Sequence, residues 1–184
     1  MTHPLPIIWT LALLSLAAMM AEGSTSATAQ STPPAKDAAS QTTVRFASLK
    51  SDRVNLRNGP GTEYPTAWVY RRAGLPLEVI KDFEGWRQVR DADGATGWVL
   101  QHFLSGRRTA LVTPWDLKPG TPVPQLDLFA DNSERSRIIA KIEAGVIANV
   151  LSCDGNWCRL SIEPYRGYLP QKRLWGVYAG EIVK

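Results

Sequence analysis

Two stretches of this chain, EGWRQVRDADGATGWV (residues 84–99) and GNWCRLSIEPYRGYL (residues 155–169), share one rhythm: a tryptophan, a turn, then glycine, aromatic and aliphatic in succession. Setting the halves at an offset of about 71 residues places Trp86 on Trp157, Gly74 on Gly145 and Val79-Ile80 on Val150-Leu151. One residue fewer in the second hairpin then puts Gly97-Trp98-Val99 on Gly167-Tyr168-Leu169, and upstream Leu56 falls on Leu128 with a one-residue shift. A fixed self-similarity over most of the chain means two copies of one domain, each of about sixty to seventy residues.

Within each copy, short period-two runs are interrupted by turn residues about every ten positions, the pattern of antiparallel strands in a sandwich or small barrel. LEVIKDF alternates, less cleanly at Ile80, and WRQVRDA alternates; Asp93-Gly94 supplies a hairpin turn because glycine tolerates positive φ, and TGWVLQ follows. HFLSG is expected to form a single tight helical turn. SERSRIIAKIEAG could pass for a helix, but its Ile-rich centre aligns with TAWVYRRAG, so it is assigned to a strand. The predicted fold is therefore all-β, with a first barrel over residues 45–112 and a second over 113–184. RRTALVTPWDLKPGTPVP (107–124) stays open as the last strand of copy one, a connection or an inter-barrel wedge carrying Trp115; its prolines favour an extended path, and 113–124 is taken as connecting segment.

A unit this small buries only about 60% of its unfolded surface, so its apolar mass must be concentrated in a few large side chains. Six of the seven tryptophans, Trp68, Trp86, Trp98, Trp115, Trp157 and Trp175, serve that need; Trp9 lies near the amino terminus, outside the repeat. Trp98 and Tyr168 are expected in the core. Trp86 and Trp157, each opening a strand after a turn, could be core or ligand platform.

These residues carry a resemblance. VNLRNGPGTEYP (54–65) and GLPLEVIKDFEGWRQVRDADGATGWV (74–99) resemble the bacterial SH3-like (SH3b) domains of exported proteins, with a weaker second copy in which NLRNGPG has become DLFADNS. The resemblance covers residues from about 46 to 178 and implies two tandem five-stranded antiparallel barrels. It further implies a non-catalytic binding protein that attaches to cell-wall (peptidoglycan stem) peptides or, alternatively, acts as an adaptor to an envelope protein. An aromatic groove of the kind that holds proline-rich ligands in eukaryotic relatives would use Tyr64, Trp86 and Phe103, with Arg57 and Arg87 placed to meet carboxylates, and Trp157 and Pro170 in copy two. Leu100 stands where copy one should carry the groove proline, Arg173 replaces the closing aromatic of copy two, and Tyr64 has no counterpart there.

Residues 1–29 read as a signal peptide. IIWTLALLSLAAMMA (7–21) is apolar and uncharged, too short for a bilayer span of about 20 residues, and Ala27-Thr28-Ala29 offers a cleavage site after Ala29, with Ala21 as the alternative. QSTPPAKDAASQTT (30–43) lacks large apolar residues and reads as a disordered linker running to residue 44. Cleavage removes one acid, Glu22, and leaves 21 basic against 16 acidic residues, a formal charge of +5. The location expected is periplasmic or secreted, with no transmembrane segment in the mature chain. That charge is too small and too dispersed to argue for nucleic acid as a partner.

Cys153 and Cys158, the only cysteines, bracket a hairpin turn in CDGNWC, where opposed strand residues come within bridging range and an oxidising compartment favours a structural disulfide. Two thiols and a distant His102 do not make a four-ligand zinc site, and no metal or cofactor is implied. The enzymatic rival, a Cys-dependent cell-wall hydrolase, would need a free thiolate with His102 as its base. NGPGTEYP lacks the helix and lysine of a phosphate loop.

Overall fold

The repeat is visible strand by strand in the computed structural model, which describes residues 44–184. The expected signal peptide and linker fall on residues outside the described ones, apart from Val44. Copy one contributes β1 (Arg45–Leu49), β2 (Val54–Arg57), β3 (Thr66–Tyr70), β4 (Pro76–Phe83), β5 (Trp86–Arg90), β6 (Thr96–Leu100) and β7 (Leu104–Ser105). Copy two follows with β8 (Thr109–Val112), β9 (Gln125–Phe129), β10 (Ile138–Glu143), β11 (Ile147–Asp154), β12 (Trp157–Ile162), β13 (Tyr165–Pro170), β14 (Leu174–Trp175) and β15 (Ile182–Val183). All ladders are antiparallel, in the order β3-β2-β6-β5-β4-β1-β7 and, seven elements on, β10-β9-β13-β12-β11-β8-β14, with β15 added to β11. The fold is all-β: among the described residues the only helical pieces are three single 3₁₀ turns, so none is long and apolar enough to cross a membrane. One of them, Gln101–Phe103, overlaps the tight turn read from HFLSG at His102 and Phe103, while Leu104–Ser105 is strand β7, and SERSRIIAKIEAG does form strand β10.

This order settles the segment after Arg107. Thr109–Val112 pairs with β11 and β14, not with copy one, and so repeats β1 as the first strand of the second sheet. The boundary drawn after Val112 therefore moves to before Thr109. Residues 113–124 are a long loop inside copy two, between its first and second strands, with Pro114–Asp116 as a 3₁₀ turn.

Period-two alternation fills two separate interiors. Leu49, Val54, Leu56, Leu77, Val79, Val89 and Val99 form one cluster; Leu128, Val150, Leu160, Leu169 and Leu174 belong to the other. The broken alternation at Val79-Ile80 has a cause: the β4–β5 register shifts between Val79 and Lys81, and β11–β12 shifts at the equivalent Val150 and Ser152. A bulge of this kind turns one strand by one residue and rotates its later side chains to the other face.

The expectation that Trp98 and Tyr168 fill the core is overturned. Gly97 and Val99 point inward, Trp98 is half-buried on the outer face against Phe83 (ring centroids 6.2 Å apart), and Leu169 takes the core position of copy two beside a half-buried Tyr168. The glycine of each triplet answers a close approach instead. A Cβ on Gly97 would sit 2.6 Å from Leu56 Cγ and 2.8 Å from the Arg57 carbonyl oxygen; one on Gly167 would meet the Phe129 carbonyl oxygen at 2.6 Å. Only glycine lets β2 and β9 cross onto β6 and β13 at that distance.

Both sheets belong to one compact unit, and buried polar groups stitch them together. Ser48 and Thr109 hydroxyls lie 2.5 Å apart; Ser48 donates to the Arg107 carbonyl (2.6 Å) and Thr109 to the Gly74 carbonyl (2.7 Å). Phe46 of copy one packs on Trp175 and Tyr178 of copy two at centroid distances of 5.2 and 4.7 Å. Trp175 Nε1 donates to the Pro76 carbonyl, and the Tyr178 hydroxyl donates to Glu78 Oε1. Burial, then the Glu78 carboxylate, raises the Tyr178 pKa above the ordinary tyrosine range, so the hydroxyl stays a donor. Phe46→Ala is expected to lower the unfolding free energy by about 3 kcal/mol, and Thr109→Val by about 2 kcal/mol because the buried Gly74 carbonyl loses its donor. Urea titrations followed by tryptophan fluorescence check both, and losses under about 1 kcal/mol would show that the seam is not structural.

Candidate functional site

Trp86 opens β5 directly after a turn in which Glu84 adopts positive φ, and it faces Leu100 across the ladder. The Gln101 amide closes the turn on the Gly85 carbonyl (2.8 Å), which carries the chain into the 3₁₀ turn ending at Phe103. On β2, the alternation that sends Val54 and Leu56 inward presents Arg53, Asn55 and Arg57 on the opposite face. Together Trp86, Leu100, Phe103, Arg53, Asn55 and Arg57 line a pocket of about 200 Å³. Arg53 and Asn55 were not anticipated, although RVNLR carries the alternation that exposes them.

Tyr64 is not in the lining. Its exposed ring lies over Gly59, where no side chain would fit beneath it. Arg57 holds this loop, donating through Nη1 to the carbonyls of Thr62 (3.1 Å) and Tyr64 (2.6 Å). Arg87 is engaged inside its own copy: it ion-pairs with Asp82 and donates to the Glu84 and Trp86 carbonyls and to Gln101 Oε1. Its donors serve the hairpin rather than an open pocket. Trp86 is only 9% exposed, so it offers an edge to the pocket rather than a full ring face.

Copy two brings Trp157 and Pro170 together as a directly opposed pair in the β12–β13 ladder. With Glu134, Asn156, Gln171 and Lys172 they line a pocket of about 260 Å³, and Phe129 packs edge-on to Trp157 at 5.8 Å. Asp154 Oδ1 accepts the amides of Trp157 (2.8 Å) and Asn156 (2.9 Å), which fixes the turn and holds the Asp154 carboxyl below its ordinary pKa. Buried Gln171 donates to the Tyr178 and Glu181 carbonyls and leaves Oε1 without a partner. Arg173, which takes the place of the closing aromatic, pairs with Asp116 (3.2 Å).

Cys153 and Cys158 are opposed in the β11–β12 ladder and joined by a disulfide, Cα atoms 4.1 Å apart. Neither sulfur is a free thiol for nucleophilic chemistry. His102 stacks on Phe103 in the other copy, centroids 3.9 Å apart. The equivalent ladder position in copy one is Asp82 opposite Arg87, and Arg45 adds two further hydrogen bonds of 3.1 Å to Asp82. Those bonds hold the Asp82 carboxyl below its usual range, chiefly through Arg45. One copy closes this hairpin ionically and the other covalently.

A family model described as "Bacterial SH3 domain" matches residues 50–106 and again 122–176. The chain belongs to the bacterial SH3 domain family. The first match begins directly after β1 and ends before Thr109, and the second begins in the loop that precedes β9. A curated relative, "Putative N-acetylmuramoyl-L-alanine amidase YrvJ" of Bacillus subtilis (strain 168), is 26% identical over 125 residues, covering 66% of this chain and 24% of that protein. This chain thus spans about a quarter of that relative's length. Among solved structures, NlpC2 from Trichomonas vaginalis aligns with 72% of this chain and 48% of its own at 14% identity and a TM-score of 0.32. An NlpC/P60 family protein from Bacillus cereus ATCC 10987 aligns with 71% and 55% at 13% identity and a TM-score of 0.30.

Loss of the disulfide in Cys153→Ser is expected to cost the second SH3 copy about 2 kcal/mol, since the bridge closes a loop of six residues. In differential scanning calorimetry this appears as a fall in Tm of about 6 °C. An unchanged Tm would mean that the bridge adds nothing to the β11–β12 ladder.

Proposed function

We infer that this chain is an exported, non-catalytic binding protein of the cell envelope that recognises cell-wall stem peptides through its SH3 copies. The observation that carries the reading is the pocket where Trp86, Leu100 and Phe103 meet Arg53 and Arg57: an apolar floor beside two guanidinium groups suits a short peptide bearing carboxylates. Family membership supports the reading, as does a relative whose name is that of an amidase acting on N-acetylmuramoyl-L-alanine. Both sulfurs of the chain are committed to a disulfide, which supports recognition over thiol chemistry. The Trp157 and Pro170 pocket serves as a second, differently shaped site with Lys172 and Glu134 at its rim. Export follows from the expected signal peptide, and the bound polymer then lies in the same compartment.

The mature chain is expected to pellet with purified peptidoglycan sacculi at low salt. Trp86→Ala should reduce the bound fraction about tenfold, as loss of an interface tryptophan commonly does. Because Trp86 is also packed, Leu100→Glu provides a second variant at a half-buried lining position, and near-UV circular dichroism confirms folding of each. Failure of the folded parent chain to pellet at low salt, or full pelleting by both variants, would contradict the assignment.

A further inference from the structure

A hollow of about 970 Å³ lies away from both aromatic pockets. One wall is β3 and its continuation, and it contributes consecutive residues from Ala67 to Arg72. Side chains of a strand alternate between faces, so a run of neighbours lines a hollow only where the edge of the strand borders it. β3 is indeed the terminal strand of its sheet. Among the described residues, Thr66–Tyr70 makes no main-chain hydrogen bond beyond its ladder with β2. The outward amides and carbonyls of β3 are therefore open to a new strand.

The facing wall comes from the loop between β8 and β9, with Leu117, Pro119, Pro122 and Val123. Prolines carry no amide hydrogen, so this wall offers apolar surface without competing for backbone pairing. Trp68, on β3 itself, is 62% exposed, and a second hollow of about 450 Å³ continues along Thr66–Val69 and Arg71. The charges at the rim are unevenly spent. Asp91 already accepts the Tyr70 hydroxyl and the amides of Asp93 and Ala95, and Arg72 donates to the Gly145 carbonyl. Among the described residues, the side chains of Arg71 and Lys118 have no hydrogen-bond or ion-pair partner, and of the two lining carboxylates Asp91 is engaged and Asp93 is not.

We propose that this groove takes an extended acidic segment of a partner protein, added as a strand to the free edge of β3. Main-chain hydrogen bonds to Thr66–Tyr70 supply the pairing, Trp68 packs on the segment's apolar side chains, and Arg71 and Lys118 meet its carboxylates. A ladder of this length asks for a run of L residues, which a protein segment supplies and a short, branched wall peptide does not. The surface and the ligand class are distinct from those of the Trp86 pocket, so the two assignments fail separately.

The test uses the ¹⁵N-labelled mature chain titrated with a blocked peptide of about eight residues alternating Glu and Val, and in parallel with its Lys and Val counterpart. The acidic peptide is expected to shift the amides of Thr66–Arg71 and slow their hydrogen exchange. Trp68→Ala, at a position exposed enough to leave folding intact, should weaken it about tenfold, and Arg71→Glu and Lys118→Glu roughly fivefold each. Pelleting with sacculi should be unchanged in all three variants. The proposal is overturned if the basic peptide binds as well as the acidic one, if shifts centre on Trp86 and Phe103 while β3 stays silent, or if neither peptide binds. It is equally overturned if the β3 amides become protected with rising protein concentration alone, which would make a second copy of the chain the occupant.

Discussion

Two hydroxyls at the meeting of the copies hold the molecule's organisation. Ser48 sits on β1 and Thr109 on β8, so the first strand of each copy carries one of the pair, and each hydroxyl finds a carbonyl acceptor in the same buried seam. A satisfied hydrogen bond contributes about 1 kcal/mol net, so the seam gains from several groups together. The ring stack of Phe46, Trp175 and Tyr178 adds apolar area that neither small sheet could bury by itself. Two units that are marginal singly gain stability by sharing an interface, and their pockets are then carried on one frame.

Within that frame the copies keep the same ladder and differ in what fastens it. Asp82, Arg87 and Arg45 close the β4–β5 hairpin where Cys153 and Cys158 close β11–β12. The same divergence reaches the pockets. Trp86 faces Leu100 in one and Trp157 faces Pro170 in the other, with two arginines lining the first and Lys172 with Glu134 the second. The repeat supplies position, and the substitutions supply two unlike pockets.

Much of this was legible in the sequence because a strand ladder is written in spacing. The offset of Trp86 to Trp157 marks equivalent ladder positions, and CDGNWC encloses a hairpin with its cysteines opposed. Trp98 and Tyr168 were misplaced because size was read as burial, whereas Gly97 and Gly167 fix the inward face and push the next residue out. Thr109–Val112 was given to the wrong copy because a proline-rich loop separates it in sequence from the strands it pairs with. Tyr64 and Arg87 were chosen by analogy with a groove, yet Tyr64 lies over its own loop, and the charge of Arg87 is spent locally, on a partner in Asp82 that pattern alone does not reveal. The groove along β3 left no motif, since it arises only when the β8–β9 loop comes to face it.

The claim that one rigid frame carries both copies is tested most directly by N–H residual dipolar couplings of the protein in a weakly aligning medium. Couplings from residues 45–105 and from 109–183 should fit a single alignment tensor with one magnitude and one orientation. Two tensors of different magnitude would show that the copies reorient independently and that the seam at Ser48 and Thr109 does not hold in solution.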